Sequence, residues 1–131
     1  MKQVSVLTEN KPGVLAHVAG LLGNSGVNIE SITAETFGDG AVIRFLTKDV
    51  NTARDVLQRA FYKVLEANVL LVRLADKPGQ LGRIAKRLAD GGVNVENLYL
   101  LEKGNSAGVF AFKVSDEARA TKILGKENVL G

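Results

Sequence analysis

Four polar side chains stand at matching places in a sequence that repeats itself. Asn10 and Asp76 each come just before a KPG motif, and Asn28 and Asn94 each follow a glycine–valine pair, with an offset of 66 residues in both cases. An asparagine amide donates and accepts hydrogen bonds at once, so it could bridge a carboxylate and an ammonium group. Asp76 could pair with the ammonium, whereas Asn10 could only hydrogen-bond to it. This combination suits a free amino acid, which is small and zwitterionic.

The segments after the KPG motifs offer a second kind of contact. A helix N-terminus leaves backbone N–H groups unpaired and carries the positive end of the helix dipole, so it can bind a carboxylate. The candidate backbone contacts are Gly13, Val14 and Leu15 in the first copy and Gly79, Gln80 and Leu81 in the second. The alternative is that the polar residues before the helices only cap them and that the two asparagines only shape turns.

The repeat itself is the strongest pattern in the chain. KPGVL at residues 11–15 returns as KPGQL at 77–81, and GVNIE at 26–30 returns as GVNVE at 92–96. Across residues 11–32 and 77–98, ten of 22 aligned positions are identical, including proline, glycine, asparagine and glutamate. Core packing tolerates many apolar exchanges, so it does not account for repeated polar and turn residues. The sequence therefore predicts two copies of one small unit.

Each copy carries signals for the same series of elements. A short strand at 4–7 precedes the first KPG motif, and the helix after it has apolar residues at helical spacing. Strands at 27–36 and 41–48 with a hairpin between them precede a helix at 51–62. The second copy repeats this with strands at 93–101 and 109–114 and a helix at 117–124. The inward helix positions are predicted to be Leu15, Val18, Ala19 and Leu22, matched by Leu81, Ile84, Ala85 and Leu88.

The predicted fold class is α+β, with two ferredoxin-like βαββαβ domains at residues 1–67 and 68–131. Residues 62–74 form one extended stretch without glycine or proline, so the last strand of copy one should run almost directly into the first strand of copy two. We therefore expect the copies to pack side by side as one continuous antiparallel sheet with helices on one face. The second copy ends in a stunted final strand.

The amino-acid composition excludes several kinds of functional site. The chain has no cysteine and one histidine, His17, so it has no disulfide and no thiolate metal site. We expect no metal, no cofactor and no catalytic residue, because no nucleophile or acid–base pair is evident. The N-terminus lacks the apolar core of a signal peptide, and no apolar run reaches membrane-spanning length. These features predict a cytoplasmic protein with no membrane contact.

The two motif runs resemble the ACT domain. VSVLTENKPGVL at 4–15 with GVNIES at 26–31 carries the resemblance, and LADKPGQL at 74–81 with GVNVE at 92–96 matches the same pattern. The chain is similar, over nearly its whole length, to the regulatory domain of phosphoglycerate dehydrogenase and to the small regulatory subunit of acetolactate synthase. The resemblance implies a stand-alone tandem ACT protein that binds an amino-acid effector between paired domains. The ligand would lie at the strand-to-helix loop of one domain and the second strand of its neighbour.

Carried over by position, Asn10 and Asn28 match the polar effector contacts of copy one, and Asp76 and Asn94 match those of copy two. The serine-binding relatives have a histidine where this chain has Thr8 and Leu74, which disfavours serine. The resemblance implies a non-catalytic, effector-sensing protein that forms a homodimer and regulates an enzyme.

Two other functions stay open at this point. RNA recognition motifs share this order of strands and helices, but Phe110 and Phe112 are expected to face the core rather than to stack on bases. The basic residues Arg83, Lys86 and Arg87 are the remaining argument for nucleic acid, which we judge the weaker interpretation. The other alternative is a protein-binding regulatory subunit of an amino-acid biosynthetic enzyme whose ligand sites are idle.

Overall fold

The computed structural model describes residues 1–131, which divide into two compact units, Met1–Asn68 and Val69–Gly131. Both units are α+β, and each has the predicted ferredoxin-like order of strands and helices.

The first unit contains a four-stranded antiparallel sheet of strand order β2-β3-β1-β4 with two helices. Its elements are β1 Lys2–Glu9, α1 Val14–Asn24, β2 Ser31–Phe37, β3 Gly40–Thr47, α2 Val50–Arg59 and β4 Lys63–Asn68.

Both helices of the first unit pack on one face of its sheet. Val4 and Val6 of β1 and Ile43 and Phe45 of β3 form a core with the buried residues of α1 and α2, all nearly inaccessible to solvent. The helix residues of this core are Val14, Val18 and Leu22 from α1 and Ala53 and Leu57 from α2.

The prediction that Leu15 faces this core is wrong, because its side chain is 49% exposed while Val14 is buried. The buried positions of α1 recur at every fourth residue from Val14, which is the first residue of the helix, and this phase turns Leu15 away from the sheet. In the second unit Leu81 is likewise 43% exposed, and Ala85, also predicted to face inward, is exposed, while Ile84 and Leu88 carry the buried face.

The second unit repeats the plan with a three-stranded sheet of order β5-β7-β6. Its elements are β5 Leu70–Ala75, α3 Gln80–Asp90, β6 Val95–Lys103, β7 Ala107–Val114, α4 Glu117–Leu124 and a 3₁₀ turn at Lys126–Asn128. Phe112 is buried in its core, as predicted, and Phe110 is half-buried at the edge of that core.

The stunted final strand exists as a single antiparallel bridge between Val129 and Val72. Leu71 N–H donates to Gly131 C=O and Leu130 N–H donates to Leu71 C=O, at 3.0 and 2.6 Å. The end of the chain thus takes the edge of β5 that β7 leaves free.

The strands form two sheets, so the prediction of one continuous sheet is wrong. The free edge of β5 is occupied by the C-terminal residues, which removes it as a joining edge. The extended stretch at 62–74 is present, since β4 ends at Asn68 and β5 begins at Leu70. None of the four helices has the length and apolar character needed to cross a membrane.

Candidate functional site

The loop that leads into the first helix of each unit turns at a glycine. Gly13 and Gly79 occupy the positions before α1 and α3 with φ of 90° and 82°, in the left-handed region that favours glycine. No side chain caps either helix. Asn10 and Asp76 therefore do not act as helix caps, and the first turns of both helices keep backbone N–H groups without a side-chain acceptor.

Asn10 and Asp76 instead fasten their loops to the strand hairpin of the same unit. Asn10 Nδ2 donates to Gly38 C=O at 3.0 Å, and its backbone N–H donates to Asp39 C=O at 2.8 Å. In the second unit the backbone N–H of Asp76 donates to Ser106 C=O at 2.9 Å. The Asp76 carboxylate is free of the backbone and pairs with Lys103, with 3.4 Å between Oδ2 and Nζ.

This arrangement creates a cleft in the second unit between the loop, α3 and the strands β6 and β7. The cleft has a volume of about 120 Å³. Asp76 and Lys103 supply opposite charges, and Gln80 and Leu81 of α3 form part of the wall. The remaining apolar side chains of the lining are Leu74, Ala75, Leu100 and Phe110.

The first unit has a matching cleft of about 130 Å³ at the same place in its fold. Asn10, Val14 and Leu15 line it, together with an ion pair between Glu9 and Lys11 at 3.2 Å. Its apolar side chains are smaller than those of the second cleft, because Ala34 and Ile43 stand where the second cleft has Leu100 and Phe110. Ala41 also lines the first cleft. The two clefts are therefore alike in position and different in chemistry.

Of the residues that we predicted as backbone contacts, some line the clefts and the others shape the adjoining loops. Val14, Leu15, Gln80 and Leu81 line the clefts, whereas Gly13 and Gly79 shape the loops beside them. The exposed positions of Leu15 and Leu81, which the core prediction missed, place both side chains in the clefts.

Asn28 and Asn94 lie far from these clefts within their own units. Asn28 follows the other end of α1, a helix of 11 residues and so about 16 Å long. Two residues after Asn28, the Glu30 N–H donates to Leu46 C=O. Leu46 is near the C-terminal end of β3, whereas the Asn10 loop lies at the N-terminal end of that strand. Asn94 has the equivalent position and bonds to Ser115, with 2.9 Å from Asn94 N to Ser115 Oγ. One small ligand cannot contact Asn10 and Asn28 of the same unit.

Lys103 is a cleft residue that the sequence alone did not identify. It is the last residue of β6, at the start of the hairpin turn, where a charged residue is ordinary and gives no local signal. The signal that could have found it is topological, because the β6–β7 hairpin and the β5–α3 loop lie at the same end of a ferredoxin-like sheet.

Comparison with known proteins agrees with the repeated motif. Residues 2–60 match the family model of the ACT domain. A probable acetolactate synthase small subunit of Archaeoglobus fulgidus is 33% identical across 63% of this chain and 62% of its own length. An aspartokinase of Corynebacterium glutamicum is 30% identical across 70% of this chain and 23% of its own length. The chain thus spans less than two thirds of either relative.

Solved structures agree with the fold. A protein of Bacteroides thetaiotaomicron has a TM-score of 0.86 at 23% identity, with 98% of this chain and 90% of that one covered. The regulatory subunit of aspartate kinase from Thermus thermophilus has a TM-score of 0.72 at 14% identity, with 93% and 89% covered. At such identities the likeness concerns the fold alone. Residues 2–60 of this chain thus match the ACT domain, and the second unit repeats the order of elements and the motifs of the first.

Proposed function

We propose that this chain is a non-catalytic regulatory protein that binds a free amino acid in the cleft beside the β5–α3 loop. The proposal extends to the matching cleft of the first unit, which need not accept the same ligand. Relatives named as the small subunit of acetolactate synthase and as a regulatory subunit of aspartate kinase support a regulatory role.

The observation that carries the proposal is the ion pair of Asp76 and Lys103 beside an apolar wall. A zwitterion can replace this pair group by group, with its ammonium on Asp76 and its carboxylate on Lys103 Nζ, without leaving a charge unpaired. The ligand carboxylate can also accept from the uncapped N–H groups at the start of α3. The ligand side chain then lies against Leu81, Leu100 and Phe110. This arrangement favours an amino acid with an apolar side chain.

Asn28 and Asn94 enter the proposal only as contacts supplied by a paired ACT unit. Within its own unit each lies beyond reach of the cleft, at the far end of a helix of 11 residues. The resemblance to effector-binding ACT proteins implies such pairing, and a homodimer would provide it. A ligand held in this way changes the equilibrium between two arrangements of the paired units only if it binds one arrangement more tightly than the other.

A regulatory protein of this kind acts on an enzyme carried by another chain, and we propose an enzyme of amino-acid biosynthesis in the cytoplasm. Both acetolactate synthase and aspartate kinase are named among the relatives, so both classes are candidates.

The proposal is tested by thermal unfolding of the purified chain with each of the twenty amino acids at millimolar concentration. A ligand present at 100 times its Kd stabilises the folded state by about 2.7 kcal/mol, which is readily measured. We expect a rise in Tm with one group of apolar amino acids. Asp76→Asn keeps the shape of the cleft and removes the charge, and should weaken binding about tenfold or more. Lys122→Met, which removes an exposed lysine from α4, is the matched control for Lys103→Met.

The variants separate the parts of the proposal. If Asn28→Ala and Asn94→Ala both leave binding unchanged, the contacts across paired units are wrong while the cleft assignment stands. If Asp76→Asn and Lys103→Met bind as tightly as the control, the cleft assignment is wrong.

A regulatory subunit with idle ligand sites is the second candidate. One observation favours it: without a ligand, Asn10 Nδ2 is already satisfied by Gly38 C=O and Asp76 by Lys103. A folded protein that no amino acid stabilises would support this function instead.

A further inference from the structure

The central strand of the second sheet has a glycine that its backbone conformation does not require. Gly108 is the second residue of β7 and is buried. Its φ lies outside the left-handed region, unlike those of Gly13 and Gly79. A glycine inside a strand lowers stability, because it has no side chain to pack and loses more conformational freedom on folding. The role of Gly108 is therefore to be sought in the space around it.

The walls of the second cleft would crowd a methyl group at Gly108. Such a group would lie 3.2 Å from Leu100 Cδ1 and 3.4 Å from both Phe110 Cε1 and the backbone oxygen of Glu102. Non-bonded carbon atoms attract best at about 3.5–4.0 Å, so the leucine side chain would have to move. Gly108 itself lines the cleft, so a side chain at this position would take space from a bound molecule.

The register of the sheet places Gly108 between the charged part and the apolar part of the cleft. Gly108 pairs with Lys103 of β6, whose ammonium group contacts Asp76. Two residues further along β7, Phe110 pairs with Leu100. Alternate residues of a strand lie on the same face, so Gly108 and Phe110 share the helix-covered face of the sheet. A molecule held by the ion pair must therefore cross Gly108 to reach the apolar wall.

The first unit has a different combination of residues at the same place. Ala41 of β3 is the counterpart of Gly108 and lines the first cleft. The wall residue nearby is Ala34, where the second unit has Leu100. One unit thus combines a glycine with a large wall residue, and the other combines an alanine with a small one. This exchange is expected if the two positions together determine the space that a ligand can use.

We propose that Gly108 determines the largest side chain that the second cleft accepts. The inference rests on the proposed amino-acid site and adds a specificity-determining residue to it. When the ammonium and carboxylate of the ligand lie on Asp76 and Lys103, a side chain longer than a methyl group extends across Gly108 to Leu100 and Phe110. A methyl group at position 108 would obstruct this path. It would disfavour the larger apolar amino acids and hardly affect alanine, whose methyl group does not reach the wall.

The test is isothermal titration calorimetry of the purified full chain and its Gly108→Ala variant with alanine, valine, leucine and phenylalanine. One methylene group in an apolar pocket changes specificity about 10–200-fold. Gly108→Ala should therefore weaken binding of the largest amino acid that the wild type accepts about tenfold or more, and the loss should decrease with ligand size. Gly82→Ala is the matched control and should bind like the wild type, because its methyl group lies in open space outside the cleft.

A second background separates crowding in the cleft from a folding defect. In Leu100→Ala the closest neighbour of the new methyl group is gone, so adding Gly108→Ala should change affinity by less than about threefold. Circular dichroism establishes that each variant is folded.

The outcomes distinguish this inference from the proposed function. Gly108 has no role in specificity if the folded Gly108→Ala variant binds all four amino acids like the wild type or loses affinity equally for all of them. The same conclusion follows if the wild type accepts no side chain larger than that of alanine. In these cases the amino-acid site itself stands. If the wild type binds no amino acid at all, the proposed function and this inference are both wrong.

Discussion

The left-handed loop before α3 gives a stability prediction that can be worked out from two glycines three residues apart. Gly79 has φ of 82°, whereas Gly82 lies inside α3 with ordinary helical geometry. A methyl group at Gly82 would have open space around it, and one at Gly79 would meet only the flexible end of Arg83 at 3.1 Å. The two substitutions therefore differ in backbone conformation and hardly in steric contact.

The two substitutions should change the free energy of unfolding in opposite directions. Gly79→Ala places an L-residue in the left-handed region and should lower the free energy of unfolding by about 1–2 kcal/mol. Gly82→Ala removes a glycine from a helix interior and should raise it by about 0.5–1 kcal/mol. With a urea m-value of about 1–2 kcal/mol/M, the midpoint should fall by roughly 1 M in the first variant and rise by a few tenths in the second.

Circular dichroism at 222 nm during urea titration measures both variants under one protocol. Gly13→Ala and Gly20→Ala provide the same comparison in the first unit, because Gly13 has φ of 90° and Gly20 lies within α1. A Gly79→Ala variant at least as stable as Gly82→Ala would refute the assignment of a strained loop that positions Asp76.

Two further predictions concern packing and the loop contacts. Leu88→Ala removes a fully buried side chain and should cost about 2–5 kcal/mol, whereas Leu81→Ala, at a cleft residue 43% exposed, should change the unfolding free energy by less than about 1 kcal/mol; equal losses in denaturant titrations would contradict the helix phase. Asn10→Ala loses the hydrogen bond to Gly38 and should cost about 1 kcal/mol. Asp76→Ala loses only an exposed ion pair worth about 0–1 kcal/mol, and a larger loss than that of Asn10→Ala would show that the carboxylate has a structural role.

The fold could be predicted from the sequence because the repeat fixed the unit and local signals agreed within each copy. The KPG and GVN motifs recur with turn residues at matching places, and α4 begins and ends at the predicted residues. These local signals did not determine which face of α1 is buried. Val14 and Leu15 are both apolar, and only the start of α1 after left-handed Gly13 determines which of them is buried.

The site was predictable only where its residues lie close together in the sequence. Asn10, Leu15, Asp76 and Leu81 belong to local motifs and do line the clefts. Lys103 reaches Asp76 across 27 residues of chain, and no local pattern reports such a pairing. The prediction that Asn10 and Asn28 of one unit contact the same ligand is also wrong, because the 11 residues of α1 lie between them.

The most direct test of the amino-acid site beside the β5–α3 loop is isothermal titration calorimetry of the purified chain with the apolar amino acids, each repeated on Asp76→Asn. We expect saturable heat with at least one of them, and affinity about tenfold weaker or more in the variant. A folded wild-type protein that gives no binding heat and no rise in Tm with any amino acid would contradict it.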